Sequence, residues 1–445
     1  MNTPICDFVS KYIENKILRL HMPGHKGVGD LGVEDRDITE IKGADSLFEA
    51  NSIIKESEQN ASKLFGAHTY YSTEGSSLCI RAMLYLVALY AKNRGKTPLV
   101  LAARNAHKAF ISAVALNDVD VEWLYSSEDS YLSCRIDSLT LDKKLLQMSD
   151  KPTALYITSP DYLGNMADIK AIAEVCHKHG VLLLVDNAHG AYLKFMSTSI
   201  HPVDLGADMC CDSAHKTMPT LTGGAYLHIS ETADKMFADK AKTALSLFAS
   251  TSPSYLILQS LDLTNRYISD GYKDKLSDFV RLVDDLKQIL KNTGYTIVGD
   301  EPLKVTISTK DYGYTGYDFA DILRSKNIEC EFSDPDFVVL MFTPNLADDK
   351  LNLLKQVLID IPKKHAIESR PPKLNGKAQM MSIRKAIFSD SQKVNVKDSI
   401  GKVSSTASVS CPPAVPIVVS GELIDENALS CFEYYSIDSC EIVIE

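Results

Sequence analysis

The chain lacks any stretch approaching the apolar length needed to span a bilayer; the run VLLLV (181–185) is only strand-sized. Its start, MNTPICDFVSKY, lacks the charged and apolar regions of a secretory signal, so none is expected. Basic residues are the scarcer charge, 47 Lys+Arg against 58 Asp+Glu, giving a net charge of −11. That balance argues against a general nucleic-acid or anionic-membrane binder, whose surface is normally basic. Ten cysteines contain no CxxC pair, and no Cys/His cluster has zinc-ligand spacing, so neither a metal site nor a disulfide framework is expected. Internal repeats and low-complexity tracts are also lacking. These absences lead to the expectation of a soluble, cytoplasmic protein with reduced thiols.

What is present is ordinary globular composition, 45% hydrophobic and 24% charged over 445 residues, enough for a sizeable core. The first ~40 residues carry Pro23, Gly24, Gly27, Gly29 and Gly32 around His21, His25 and Lys26, which reads as an ordered loop region. Helices then alternate with buried strands up to about residue 230. Ser76 and Ser77 precede the mostly apolar LCIRAMLYLVALYAKN and offer a hydroxyl N-cap. PLVLAAR (98–104) and ALYITSP (154–160) fit buried strands. Asp168 is placed to cap a helix with Ile169, Ile172, Ala173 and Cys176 on one face, and Gly180 stops it. VLLLV follows as a strand apolar on both faces, and DMCCDS (208–213) and GGAYLHI (223–229) continue the series. Strand, helix, strand in this order builds an α/β fold with a mostly parallel sheet.

Beyond residue 240 the texture changes. KLSDFVRLVDDLKQILKNTG (275–294) reads as a long amphipathic helix, and LKVTIST and FVVLMFT as short strands around a helix at DFADILRSKN. The division expected is an N-terminal segment 1–44, a large domain 45–240, a small α+β domain 241–364, a linker 365–379 and a C-terminal appendage 380–445.

Ligands of open α/β sheets gather at the carboxyl ends of the strands. Those ends carry Arg104, Asn105 and His107; Ser159; Asp186 and His189; and Ser213, His215 and Lys216. Gly75, Ser76 and Ser77 open a helix whose free N–H groups and dipole suit a phosphate. Taken singly each feature is ordinary: a GSS is usually a turn, an Asp after a strand a cap, a Lys there a solvated side chain. Together they meet the demands of pyridoxal 5'-phosphate: a lysine amine for the aldehyde, a carboxylate for the ring nitrogen, a flat partner for the ring and hydroxyls with backbone N–H groups for the phosphate. Lys216, Asp186, His107 and the Gly75-Ser76-Ser77 turn fill those four roles.

At these residues the sequence resembles the Orn/Lys/Arg decarboxylase family, pyridoxal-phosphate enzymes with the aspartate-aminotransferase fold (fold type I). The matching blocks are RLHMPGHKG (19–27), DITE (37–40), EGSS (74–77), RNAHKAF (104–110), ITSPDYLG (157–164), LLVDNAHGAY (183–192) and SAHKTMPTLTGGAYLHI (213–229). MSIRKAIF (381–388) and CPPAVPIVVSGE (411–422) extend the resemblance through the appendage. It implies that Lys216 holds the cofactor as a Schiff base and that Asp186 pairs with the ring nitrogen. His107 and Ala188 would lie on opposite ring faces, and His189 near the reacting carbon. Ser76, Ser213 and His215 would surround the phosphate with the backbone of Gly75 and Ser77. It also implies α-decarboxylation of a basic amino acid, arginine before lysine or ornithine, a place in polyamine biosynthesis, and a homodimer or larger assembly.

Three departures stand out: Asn187 where the family usually has Glu, Gly223 and Gly224 where a Gln commonly follows Leu-Thr, and Cys411 where an aromatic often precedes Pro-Pro. Each is expected to reshape the substrate pocket rather than to remove a cofactor contact. Asp45, Glu49, Glu74 and Asp161 are candidates for the distal end of a basic substrate, with solvated surface acids the alternative. Among rival chemistries on the same cofactor, an aminotransferase would need an arginine for the α-carboxylate, with Arg384 the candidate. A desulfurase would need a low-pKa cysteine, with Cys330 or Cys411 the candidates, and other lyases stay open. A non-catalytic cofactor-binding protein is the rival from another class; the intact Lys216, Asp186 and His107 argue against it.

Overall fold

The computed structural model describes residues 1–125, 130–406 and 413–444. Cys411 therefore lies outside the described residues. Along the chain come α1 (Pro4–Glu14), α2 (Ile53–Phe65), β1 (His68–Ser72), α3 (Gly75–Lys92), β2 (Leu99–Ala103) and α4 (Lys108–Asn117). Then follow β3 (Asp120–Leu124), β4 (Ala154–Thr158), β5 (Leu182–Asp186), β6 (Met209–Asp212) and β7 (Ala225–Ile229). These seven strands form a sheet of order β1-β7-β6-β5-β4-β2-β3. The pairs β2/β3 and β5/β6 are parallel, whereas β6/β7 and β1/β7 are antiparallel. A mostly parallel α/β sheet is thus correct, with an antiparallel flank that the sequence reading lacks.

The chain divides into two compact units. The first comprises Met1–Thr97, Thr153–Leu155 and Ile169–Lys275. Every residue of β5 is buried, as its unbroken apolar run requires. The helix Ile169–Lys178 buries Ile169, Ile172, Ala173 and Cys176, the face expected of it, and Gly180 follows at φ +69°. The N-terminal region opens on a helix, and the glycine- and proline-rich stretch after it has no helix or strand, as expected. Pro4 opens α1, whose stripe of Ile5, Cys6, Val9 and Tyr12 is buried, while the Asp262 carboxylate accepts the Ile5 and Cys6 N–H groups. Asp45 does the same for α2 by accepting the N–H groups of Ser52 at 2.7 Å and Ile54 at 3.1 Å, with Asn51 at 3.0 Å.

The second unit comprises Pro98–Pro152, Tyr156–Asp168 and Leu276–Glu445. It contains an antiparallel four-stranded sheet of β8 (Thr296–Val298), β9 (Lys304–Ser308), β10 (Phe332–Ser333) and β11 (Phe337–Met341), in the order β10-β11-β9-β8. The helix Gly316–Arg324 lies between β9 and β10 in sequence and is N-capped by Thr315. A hairpin of β12 (Ser391–Asn395) and β13 (Ser439–Val443) belongs to the C-terminal segment, where Val396, Ile417, Val418, Ile424 and Phe432 share a core cluster.

Candidate active site

In the first unit, Asp186 ends β5 as a buried carboxylate, 3% exposed, and its Oδ1 accepts the Ala188 N–H at 3.3 Å. The chain then turns tightly through Asn187, whose N–H bonds the Cys211 carbonyl at 3.0 Å while its carbonyl accepts the Gly190 N–H at 2.8 Å. A Cβ at Gly190 would lie 2.0 Å from Asn187 Oδ1, so any larger residue there would have to displace the Asn187 side chain. The turn delivers buried His189 with Nε2 2.8 Å from Lys216 Nζ. Lys216 stands on the four-residue helix Ala214–Thr217, whose preceding Ser213 carbonyl accepts the Lys216 N–H at 2.9 Å. Beside it, Thr217 Oγ1 is buried with no hydrogen-bond partner among the described residues. The imidazole and the amine, from two strand ends, therefore meet, and Asp186 ends the strand that leads into the same turn.

The turn between β1 and α3 completes the group. Gly75 sits at φ +70°, and a Cβ there would meet nothing within 4 Å, so open space lies in front of it. Ser213 Oγ donates to Ser76 Oγ at 2.8 Å, tying the start of α3 to the lysine-bearing helix. The N-cap residue, Glu74, makes no side-chain cap, and its carboxylate instead accepts the Ser250 N–H. Ser76 and Ser77 lie inside the first turn rather than at the cap, because the left-handed Gly75 has already turned the chain into the helix. Their amides have no acceptor within the helix, which suits an anion.

Two of the departures form part of this architecture. The Gly223 carbonyl accepts the Gly75 N–H at 2.7 Å, and a Cβ at Gly223 would come within 2.8 Å of the Thr73 carbonyl oxygen. The Gly224 carbonyl accepts both the His215 N–H, at 3.1 Å, and its Nδ1–H, at 3.0 Å. Gly223 and Gly224 thus let the two cradle segments approach one another. Asn187 is fully buried, with its side chain directed at Asp212.

In the second unit His107 is the N-cap of α4, its Nδ1 accepting the Ala109 N–H at 3.0 Å and leaving Nε2 to carry the ring proton. Its loop is clamped by the C-terminal segment. Arg104 donates to the carbonyls of Pro416 at 2.8 Å and Ile417 at 2.9 Å and to Glu422 Oε2 at 2.9 Å, both charged groups being buried. The Lys108 N–H bonds the Ala414 carbonyl at 2.8 Å.

Of the candidate substrate acids, Asp45 is occupied with backbone amides and Glu74 with Ser250. Asp161 is buried, accepts from Ser133 at 2.7 Å and from Asn165, and its carboxyl is raised by that burial. Glu49 is exposed. Arg384 donates to the Ala115 carbonyl and covers the Phe388 ring, a packing role for the proposed transaminase arginine. Burial raises the Cys330 thiol, the opposite of what a desulfurase needs.

Sequence reasoning missed a buried network behind the turn. Asp212 Oδ2 accepts from His201 Nε2 at 3.0 Å and His228 Nε2 at 3.1 Å, and Oδ1 from Asn187 Nδ2 at 2.7 Å. Burial alone would raise this carboxyl, but the two imidazoles outweigh it and hold it well below the usual range. Burial lowers His228, against the opposing pull of Asp212. Cys210 brings a third possible ligand type beside His201 and Asp212, with the ligand atoms within 4.8 Å, but both imidazole contacts are already donors to the carboxylate.

Comparison with known proteins bears on this geometry. A family profile described as Orn/Lys/Arg decarboxylase, major domain, matches residues 3–298. An arginine decarboxylase of Halalkalibacterium halodurans is 29% identical, with 96% of this chain and 92% of that protein covered. An arginine decarboxylase of Bacillus subtilis is 27% identical, with 96% and 92% covered. In fold the chain is similar to the lysine decarboxylase of Francisella novicida at 16% identity, TM-score 0.80, covering 99% of this chain and 81% of that one. No helix among the described residues is long and apolar enough to cross a membrane.

Proposed function

The chain belongs to the Orn/Lys/Arg decarboxylase family, and on that premise we propose that it is a pyridoxal-phosphate-dependent carboxy-lyase. Its substrate in this reading is a basic amino acid, arginine before lysine or ornithine, converted to the amine and carbon dioxide. The observation that carries the reading is the 2.8 Å approach of Lys216 Nζ to His189 Nε2, in a turn that also presents the buried Asp186.

The donor set fits the cofactor. Lys216 offers the amine for its aldehyde, and the uncapped start of α3, with Ser76 and the Ser213 hydroxyl, offers a phosphate cradle. His215 and the backbone at Gly75 and Ser77 would complete that cradle, and His107 and Ala188 would lie against the ring. When bound, the cofactor supplies an electron sink for the charge left as carbon dioxide departs.

The chain's own residues do the rest. Asp186, buried at the end of β5, would be the carboxylate that keeps a proton on the cofactor's ring nitrogen. With substrate in the site, Lys216 would stand as a free amine able to deliver a proton to the α-carbon, with His189 Nε2 holding Nζ in place for that transfer. The preference for arginine is supported by relatives named arginine decarboxylase, among them those at 29% and 27% identity. A homodimeric or larger assembly in the cytoplasm, acting on a small-molecule substrate, completes the proposal. The test is a competition assay with cofactor-loaded protein: arginine should give the highest kcat/KM of the three basic amino acids, and a higher value for lysine or ornithine overturns the ranking.

A further inference from the structure

Asn187 and Asp212 are the residues on which the Asp186–His189 turn is built. The backbone of Asn187 is fixed twice, through its N–H on Cys211 and its carbonyl on Gly190. Its side chain donates to Asp212 Oδ1 at 2.7 Å, whereas Asp186 Oδ1 lies 3.6 Å from Cys211 Sγ. Asp212 is itself hydrogen-bonded through both oxygens. Its other oxygen accepts hydrogen bonds from His201 and His228, which both have fully buried side chains, and His228 Nδ1 contacts Thr69 Oγ1 at 2.9 Å. An acid at 187 would set one carboxylate against another inside the protein, whereas the amide supplies a donor to an oxygen that neither imidazole reaches.

We propose that Asn187 and Asp212, braced by His201 and His228, are positioning residues for the reaction. Through the turn they set where the Asp186 carboxylate and the His189 imidazole stand relative to Lys216. The chain's departure from the family pattern at 187 is therefore an internal pairing matched to Asp212 and not a change in the substrate pocket. The inference rests on the reading of Lys216, Asp186 and His189 as the cofactor site.

Asn187→Asp keeps shape and replaces the donor by a charge. In the cofactor-loaded protein this variant should lower kcat at least tenfold with KM within about threefold of the parent. It should also move the pH midpoint of the bound cofactor's visible absorbance by half a unit or more, because Asp186 and His189 shift. The exchanged pair Asn187→Asp with Asp212→Asn restores a donor between the two positions and should bring both quantities most of the way back. If Asn187→Asp does not accumulate as folded protein, Asn187→Ala, which removes the donor without adding charge, is measured in the same two assays. An unchanged midpoint and kcat in the single variant overturn the proposal, as does an exchanged pair no better than Asn187→Asp. Absence of any visible cofactor band in the parent protein would instead overturn the cofactor reading itself.

Discussion

Lys216 Nζ and His189 Nε2 stand 2.8 Å apart, although 27 residues separate them in the chain. Two turns produce that meeting: one at the end of β5, closed by Gly190, and one at the short helix after β6. Lys216 alone among the gathered groups can hold an aldehyde. Lys216→Ala is expected to abolish both the visible absorbance of the lysine-bound cofactor and all turnover, with far-UV circular dichroism unchanged. A variant that keeps the band contradicts the assignment.

Asp186 tests a different link. Its carboxylate is buried beside Ala188 and accepts that residue's N–H. Asp186→Ala should retain some cofactor but lose turnover by about a hundredfold or more, since no group remains to keep the ring nitrogen protonated. Near-normal kcat in the loaded variant would falsify the electron-sink role.

The clamp on the His107 loop makes a stability prediction. Glu422 takes Arg104 at 2.9 Å and the Val419 N–H at 2.7 Å, with both charged side chains buried. Glu422→Ala leaves the guanidinium buried without its counter-charge, which costs about 3–5 kcal/mol. Chemical denaturation of the two proteins measures the difference, and a change below about 1 kcal/mol contradicts the clamp.

Asp334 gives a pH dependence. Burial raises its carboxyl to about 7, with Asp336 pushing the same way, and its Oδ2 has no hydrogen-bond partner among the described residues. An unfolded Asp titrates near about 3.9, so between those values the folded state binds the extra proton. The stability from that proton is present at low pH and is lost as pH rises towards 7, by up to about 4 kcal/mol. Asp334→Asn cannot titrate. The unfolding free energy of the parent should therefore fall relative to that variant between pH 4 and 7, and a constant difference contradicts the shift.

Much of this architecture was legible in the sequence because its signals are local. VLLLV can only be a strand buried on both faces, and reading the residues at strand ends finds Asp186, His189, Ser213 and Lys216 directly. The antiparallel flank was not legible: HTYYS mixes polar and aromatic residues without a clear period, and pairing with β7 makes it a strand. The Asp212 network was hidden for a related reason. Register sets Cys210 opposite His228 and so brings His228 to the neighbouring carboxylate, while His201 arrives from a connecting segment. Asp45 and Glu74 looked like free acids because a carboxylate's backbone partners leave no trace in residue spacing.

The most direct test of the central claim is mass spectrometry of the products formed when the cofactor-loaded protein is incubated with arginine, lysine and ornithine. The account predicts an amine lighter than its substrate by one carbon dioxide, absent with Lys216→Ala. A 2-oxo acid, or no product from any of the three, would contradict decarboxylation of a basic amino acid while leaving the fold and the arrangement of Lys216, His189 and Asp186 in place.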